Sequence, residues 1–479
     1  MASSDKSIKI HEHCLVPPPS AAATPFSVPL TFFDLHWLRF HPVERIFFYS
    51  LPLPHSDHSS FFDKVVPKLK TSLSHTLQHF LPLAGNIVWP SDSPKPIIQF
   101  NPGDGVSLVL AQCDDALFNH MLDNSPRGAT ESHTLVPHLE SSDSLASVMS
   151  LQITLFPNKG FCIAISSHHA VLDGKSSTMF IKAWAYACKS GEEESPPSLV
   201  PEYLEPLFDR DIIKDPTGLE SVFINNWTQI ASQMNPSHTS NGRSLKTVPQ
   251  PIKENSVRAT FELARGDLEK IKKRVLSKWE LVEELAEPVL ASSKPTTLST
   301  FVTTLAYVSV CIAKAIHEAQ NVQKFVLGFT VDYRARLEPP IPENYFGNCV
   351  ASHMVDTQPH DFIKDDGVAI VAKRIWSKIK TLDKGALNGL DTIFSRFMTM
   401  RSEGTMAIGV AGSNRFGVYE TDFGWGRPSK VEITSIDRGL NIGLAESKDG
   451  RGGVEVGLAL NKHVMDLFHT IFHAGLSFD

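Results

Sequence analysis

The 479-residue chain predicts a mixed α/β (α+β) fold in two domains. Three observations carry this expectation. Strand-like and helix-like signals alternate through both halves, as they do where helices cover sheets. The length exceeds what one compact core organises. Between Gly191 and Pro251 the sequence changes character, with Glu192-Glu193-Glu194, Ser195-Pro196-Pro197 and Asn235-Pro236-Ser237-His238-Thr239-Ser240-Asn241-Gly242 reading as a crossover. The expected division is an N-terminal domain 1–190, a crossover 191–251 and a C-terminal domain 252–479.

The first half opens with a proline-rich lead, Pro17-Pro18-Pro19. A helix follows over Phe61–Phe80, because Val65, Val66, Leu69, Leu73, Leu77 and Phe80 recur at helical spacing until Leu81-Pro82-Leu83-Ala84-Gly85 ends the pattern. Short apolar and β-branched runs at Ile97–Phe100, Val106–Leu110, Ser147–Ile153 and Phe161–Ser167 read as strands. After Gly174 the pattern is helical again, with Met179, Phe180, Ala183, Trp184 and Ala187 on one side. The second half adds a strand at Val257–Leu263, a Lys-rich helix around Leu268–Leu276, an apolar helix at Phe301–Ile316 and a buried strand at Phe325–Val331. No short internal repeat is visible.

Composition excludes several classes. With 42% hydrophobic and 20% charged residues, both halves can bury interiors. A net charge of -7 gives no electrostatic reason for nucleic-acid binding. No uninterrupted apolar run reaches the roughly 20 residues of a membrane helix. The start of the chain, with Asp5, Lys6, Lys9 and Glu12, lacks the apolar core of a signal peptide, so a cytoplasmic protein without membrane partners is expected. The six cysteines are scattered with no Cys-x-x-Cys pair, which argues against disulfides and a zinc site. Without a secretory route the sequon Asn226-Trp227-Thr228 carries little meaning.

The segment His168-His169-Ala170-Val171-Leu172-Asp173-Gly174 sets an imidazole and a carboxylate four residues apart directly after a buried strand. An imidazole titrates near neutrality and can take a proton from an alcohol, while a nearby carboxylate can fix its tautomer or orient the turn. The competing reading is a satisfied structural turn. A second marker, Asp422-Phe423-Gly424-Trp425-Gly426, weighs against it.

These two motifs, in this order, resemble the BAHD family of plant acyl-CoA-dependent acyltransferases over the whole chain. Further stretches look like its flavonoid and phenolic glucoside malonyltransferases: Leu30–Leu38, His41–Arg45, Phe80–Gly85, Tyr345–Cys349, Arg415–Tyr419, Gly443–Ser447 and Gly453–Gly457. The resemblance implies two similar domains with mixed sheets, chloramphenicol acetyltransferase-like, with His169 in a channel between them. It implies malonyl-CoA as co-substrate with no bound cofactor or metal, a phenolic glucoside as acceptor through its sugar 6-hydroxyl, and a monomer. His169 would be the general base. Asp173 would hold the turn through a basic partner. Asp422 would pair with Arg334 away from the channel, while Gly424 and Gly426 permit a tight backbone path.

A malonyl carboxylate taken out of water needs a cation, for which Lys175 and Arg415 are candidates. Lys294, Thr297, Ser299 and Thr300, before the apolar helix, suit the phosphates of coenzyme A. Other apparent motifs fail. Gly174-Lys175-Ser176 ends like a P-loop, but the first glycine of that pattern would fall on His169. His75 and His79 lack the glutamate of a zinc protease helix, and no Gly-x-Ser-x-Gly elbow is present. A hydroxycinnamoyl-CoA donor and a non-catalytic binding protein are the rival readings.

Overall fold

Two strands at the centre of the first half place the motif. β1 (Val43–Ser50) and β2 (Gly160–Ser167) pair antiparallel, with Arg45 opposite Ile165 and Phe47 opposite Ile163. Side chains alternate across a strand, so Phe47, Tyr49, Phe161, Ile163 and Ile165 enter the main core, while Ile46, Phe48, Cys162 and Ala164 pack with Phe118 in a smaller one. Both faces being covered explains why all eight residues of β2 are buried.

The computed structural model describes residues 8–20, 24–191, 201–234, 242–282, 294–355, 357–358, 360–383 and 385–477. The six-stranded first sheet runs Lys9–Val16, Val106–Gln112, Met149–Phe156, β2, β1 and Lys430–Ile433. A seven-stranded second sheet runs Val350–Met354, Phe325–Asp332, Met406–Ser413, Asn441–Glu446, Val454–Asn461, Ser256–Leu263 and Arg127–Gly128. Both mix parallel and antiparallel pairs, as expected of a mixed α/β chain. Each also ends in an edge strand from the other half of the chain. A third sheet of four short strands contains Ile97–Phe100.

α1 (Gly174–Ser190) carries the motif away from β2 and buries Met179, Phe180, Ala183 and Trp184 as the spacing predicts. The Trp184 indole anchors it to the preceding helix, Val66–Leu77, donating to Leu69 O at 3.2 Å and Ser72 Oγ at 3.1 Å. That helix is entered through a wider π turn at Phe61–Val65, and Pro67, which has no N–H to donate, falls in its first turn.

The expected crossover 191–251 includes α2 (Leu219–Met234), whose Trp227 indole donates to Leu35 O at 2.8 Å. The runs Glu192–Pro197 and Asn235–Asn241 lie outside the described residues. α3 (Thr300–Gln320) is the expected apolar helix. It is long and apolar enough to cross a membrane, but 78% of its most apolar window is buried within the protein, as in a core helix. α4 (Ile393–Ser402) completes the elements needed for the site.

Two elements differ from expectation. The proline-rich lead is preceded by the strand Lys9–Val16, an edge strand whose Lys-Ile-His-Glu-His residues are exposed and so carry no burial pattern. The run Ser147–Ile153 is two strands, because Leu145–Ser147 joins the small sheet and Met149–Phe156 the large one. Val148 is the pivot, and its carbonyl accepts His168 N–H at 2.9 Å.

Candidate active site

Where β2 stops, the chain turns through His168 and His169 into α1. His168 is fully buried, its Nδ1 accepts Ala170 N–H at 3.2 Å, and burial lowers its pKa to about 3. It is a neutral structural histidine. His169 is half-buried, and its ring lies flat on the Trp37 indole with centroids 4.1 Å apart and planes 5° apart. Phe40 meets the same imidazole edge-on at 6.3 Å.

Burial lowers the His169 pKa to about 4, with His41 acting in the same direction and the ring's own backbone carbonyl, Asp173 and Asn348 opposing. The imidazole is therefore unprotonated at neutral pH. Its Nδ1 is buried.

Asp173 caps α1, accepting Ser176 N–H at 2.9 Å on Oδ1. Its Oδ2 accepts Cys349 N–H at 3.1 Å and pairs with Arg334 Nη1 at 2.9 Å. Burial alone would push the Asp173 carboxyl up, but Arg334 and the backbone donors hold it below its usual range. Arg334 also reaches Asp332 and the carbonyl of Tyr345. Asn348 completes the lock, with its side-chain amide donating to His169 O at 2.8 Å and to Asp34 Oδ1 at 3.0 Å. Three distant segments thus fix one turn. A Cβ on Gly174 would come within 2.6 Å of the Phe416 ring, which explains glycine after Asp173.

Arg334 therefore pairs with Asp173, and the expected Asp422–Arg334 pair is corrected. Asp422 lies at the other end of α1, where Lys189 Nζ approaches its carboxylate at 2.7 Å. At 1.5 Å per residue, Lys189 stands roughly 24 Å along the helix from Asp173. Asp422 Oδ1 accepts N–H from Gly424 at 2.8 Å and Gly426 at 2.9 Å, and both glycines have positive φ, 103° and 100°. Phe423 packs against Trp184 and Tyr49, and Trp425 against Phe161. This motif clamps α1 and lies away from the imidazole.

Lys175 lies beside Asp173, half-buried and ion-paired with the exposed Glu343. Burial lowers its pKa. Arg415 is exposed, as are Lys294 and Thr297. The Ser299 hydroxyl is already used as the N-cap of α3, accepting Val302 N–H at 3.2 Å, and Thr300 opens that helix. Among the described residues no hydrogen bond joins Lys294, Thr297, Ser299 or Thr300 to the motif. Sequence reasoning gave no role to Trp37, Phe40, Asp34 or Asn348. Their signal was an aromatic run broken by Asp34 and His36, and the Tyr345–Cys349 stretch.

The Transferase family matches residues 6–474. The chain is a BAHD acyltransferase. As such it is an acyl-CoA-dependent O-acyltransferase. It is 41% identical to phenolic glucoside malonyltransferase 1 of Arabidopsis thaliana, over 98% of each chain. Identity is 40% with malonyl-CoA:anthocyanidin 5-O-glucoside-6''-O-malonyltransferase of the same plant, covering 99% of this chain and 100% of that one. Vinorine synthase shares the BAHD fold, with a TM-score of 0.67 over 96% of each chain at 18% identity.

Proposed function

We propose that the protein transfers the malonyl group of malonyl-CoA to a sugar hydroxyl, the 6-hydroxyl, of a flavonoid, isoflavonoid or other phenolic glucoside, with His169 as general base. The observation that carries this reading is the state of His169, an unprotonated imidazole held against Trp37 while the motif carboxylate is committed to Arg334. The malonyl donor is favoured by the two malonyltransferase relatives, each 40% or more identical along nearly the whole chain.

A weak base cannot deprotonate an alcohol outright, so proton transfer accompanies attack. His169 Nε2 takes the hydroxyl proton as the sugar oxygen bonds to the thioester carbonyl carbon. The tetrahedral oxyanion then collapses, the C–S bond breaks and coenzyme A leaves as a thiolate. An imidazolium of pKa about 4 is a far stronger acid than a thiol of roughly 8.5, so return of the proton to sulfur is downhill. Holding both substrates close makes a covalent enzyme intermediate unnecessary. Lys175 is the candidate cation beside the motif, and a malonyl carboxylate would take the place of Glu343 on it.

The test is thiol release from malonyl-, acetyl-, succinyl- and coumaroyl-CoA against one flavonoid glucoside, with His169→Ala in parallel. Malonyl-dependent release is expected, reduced by roughly 10²–10⁴-fold in the variant. Preference for coumaroyl-CoA would transfer the chain to the hydroxycinnamoyl reading, and no turnover with any donor would sink the proposal. Because His169 stays neutral down to about pH 4, kcat/KM should be flat from pH 8 to about 5.

A further inference from the structure

A line of aromatic rings connects His169 with the surface. The imidazole is stacked on Trp37, whose indole is fixed by donation to Val350 O at 3.3 Å. Phe40 touches both, 4.9 Å from Trp37 and 6.3 Å from His169, yet it is 36% exposed. Phe40 therefore presents a ring to solvent beside the imidazole. Beneath Phe40 lies the buried Trp227 of α2, 6.0 Å away at 88° and itself anchored to Leu35 O. Beyond it, 5.9 Å away, stands the half-buried Phe394 of α4. Phe397 and Met398, three and four residues further along that helix and so on the same face, are 38% and 46% exposed.

We infer that this lane seats the flat aromatic body of the acceptor, leaving the attached sugar to deliver its hydroxyl to His169. Its edge-on and stacked rings offer another ring the geometries aromatic pairs prefer, and methionine adapts to differing ring shapes. The adenine of coenzyme A, the other flat ring in the reaction, brings phosphates that need cations, whereas the members of the lane carry no charge. The sugar and donor in this picture rest on the proposed function. Binding in the lane does not depend on them.

The test is calorimetric titration of 2-naphthyl β-D-glucoside into the wild type, Phe40→Ala and Phe394→Ala without donor, followed by malonyl-CoA kinetics with 2-naphthyl and methyl β-D-glucosides. Each substitution should weaken naphthyl glucoside binding by roughly 10-fold and lower the preference for the aryl over the methyl glucoside through KM. Phe394 lies on a half-exposed helix face, so its truncation leaves the fold intact, which a thermal melt verifies. Unchanged affinity in Phe394→Ala would overturn the inference. So would equal losses with both glucosides, or a rise confined to the KM for malonyl-CoA. If the wild type transfers no malonyl group, the proposed function fails while the titration still decides the lane.

Discussion

A carboxylate one turn from an imidazole suggests that the two act on each other, yet Asp173 spends its oxygens on Ser176, Cys349 and Arg334. His169 and Asp173 were legible because both belong to one local turn. The partner of Asp173 was not, since it arrives from the other half, and the resemblance had assigned Arg334 to Asp422. The stack of His169 on Trp37 was equally hidden, because no local periodicity reports a contact between distant segments. Removing one member of a buried pair leaves the other charge uncompensated, at about 3–5 kcal/mol. Asp173→Asn can keep the helix cap but lose the ion pair, so it should lower both stability and kcat. Adding Arg334→Gln should recover part of the stability in denaturant melts. Strictly additive losses in the double variant would show that the two side chains are not coupled.

At the level of elements, strands and helices with one clear buried face were readable: β2, α1, α3 and the helix Val66–Leu77 fall where periodicity places them. The edge strand Lys9–Val16 was not, because solvent on its exposed positions removes the apolar alternation. α2 was hidden in a stretch whose flanking Pro, Ser and Asn residues dominate the composition, although it supplies Trp227. The glycine loop shows what holds α1 at its far end. Gly424 and Gly426 turn their N–H groups onto Asp422, which in turn pairs with Lys189. A side chain at φ 103° is strained, so Gly424→Ala should cost about 1–2 kcal/mol. The Michaelis constants should be unaffected well below the melting temperature, since the loop stands far from His169. A tenfold change in KM with no loss of stability would place this loop in the substrate site instead.

Across the whole molecule, the two halves are joined by exchanged edge strands and by the charges those strands carry. Glu432, from the second half but on the first sheet, meets Arg127, from the first half but on the second sheet, at 2.5 Å. Arg258 approaches Glu432 at 3.3 Å and Asp437 at 2.7 Å, and Lys430 approaches Glu432 at 3.2 Å. Burial would raise the Glu432 carboxyl, but Arg258, Arg127 and Lys430 hold it well below the carboxylate range. Its stabilisation is therefore present above the unfolded pKa of roughly 4.5 and is lost as pH falls below it. His36 and His168 act earlier, since burial lowers both to about 3. The unfolded chain binds their protons first, so stability declines as pH drops below about 6.5, by at most about 2 kcal/mol for each at pH 5. Wild-type melting temperature should fall between pH 7 and 5 through the histidines and more steeply below 4.5 as Glu432 contributes. Glu432→Gln leaves three buried cations facing a neutral amide, so it should already be destabilised at pH 7.5, by about 3–5 kcal/mol. It should also lose the Glu432 share of the steeper acid limb while keeping the share of Asp173 and the histidine one. Calorimetric melts of both proteins from pH 4 to 8 decide this: a variant as stable as the wild type at pH 7.5 would mean that the exchanged strands, and not the charges between them, hold the halves together.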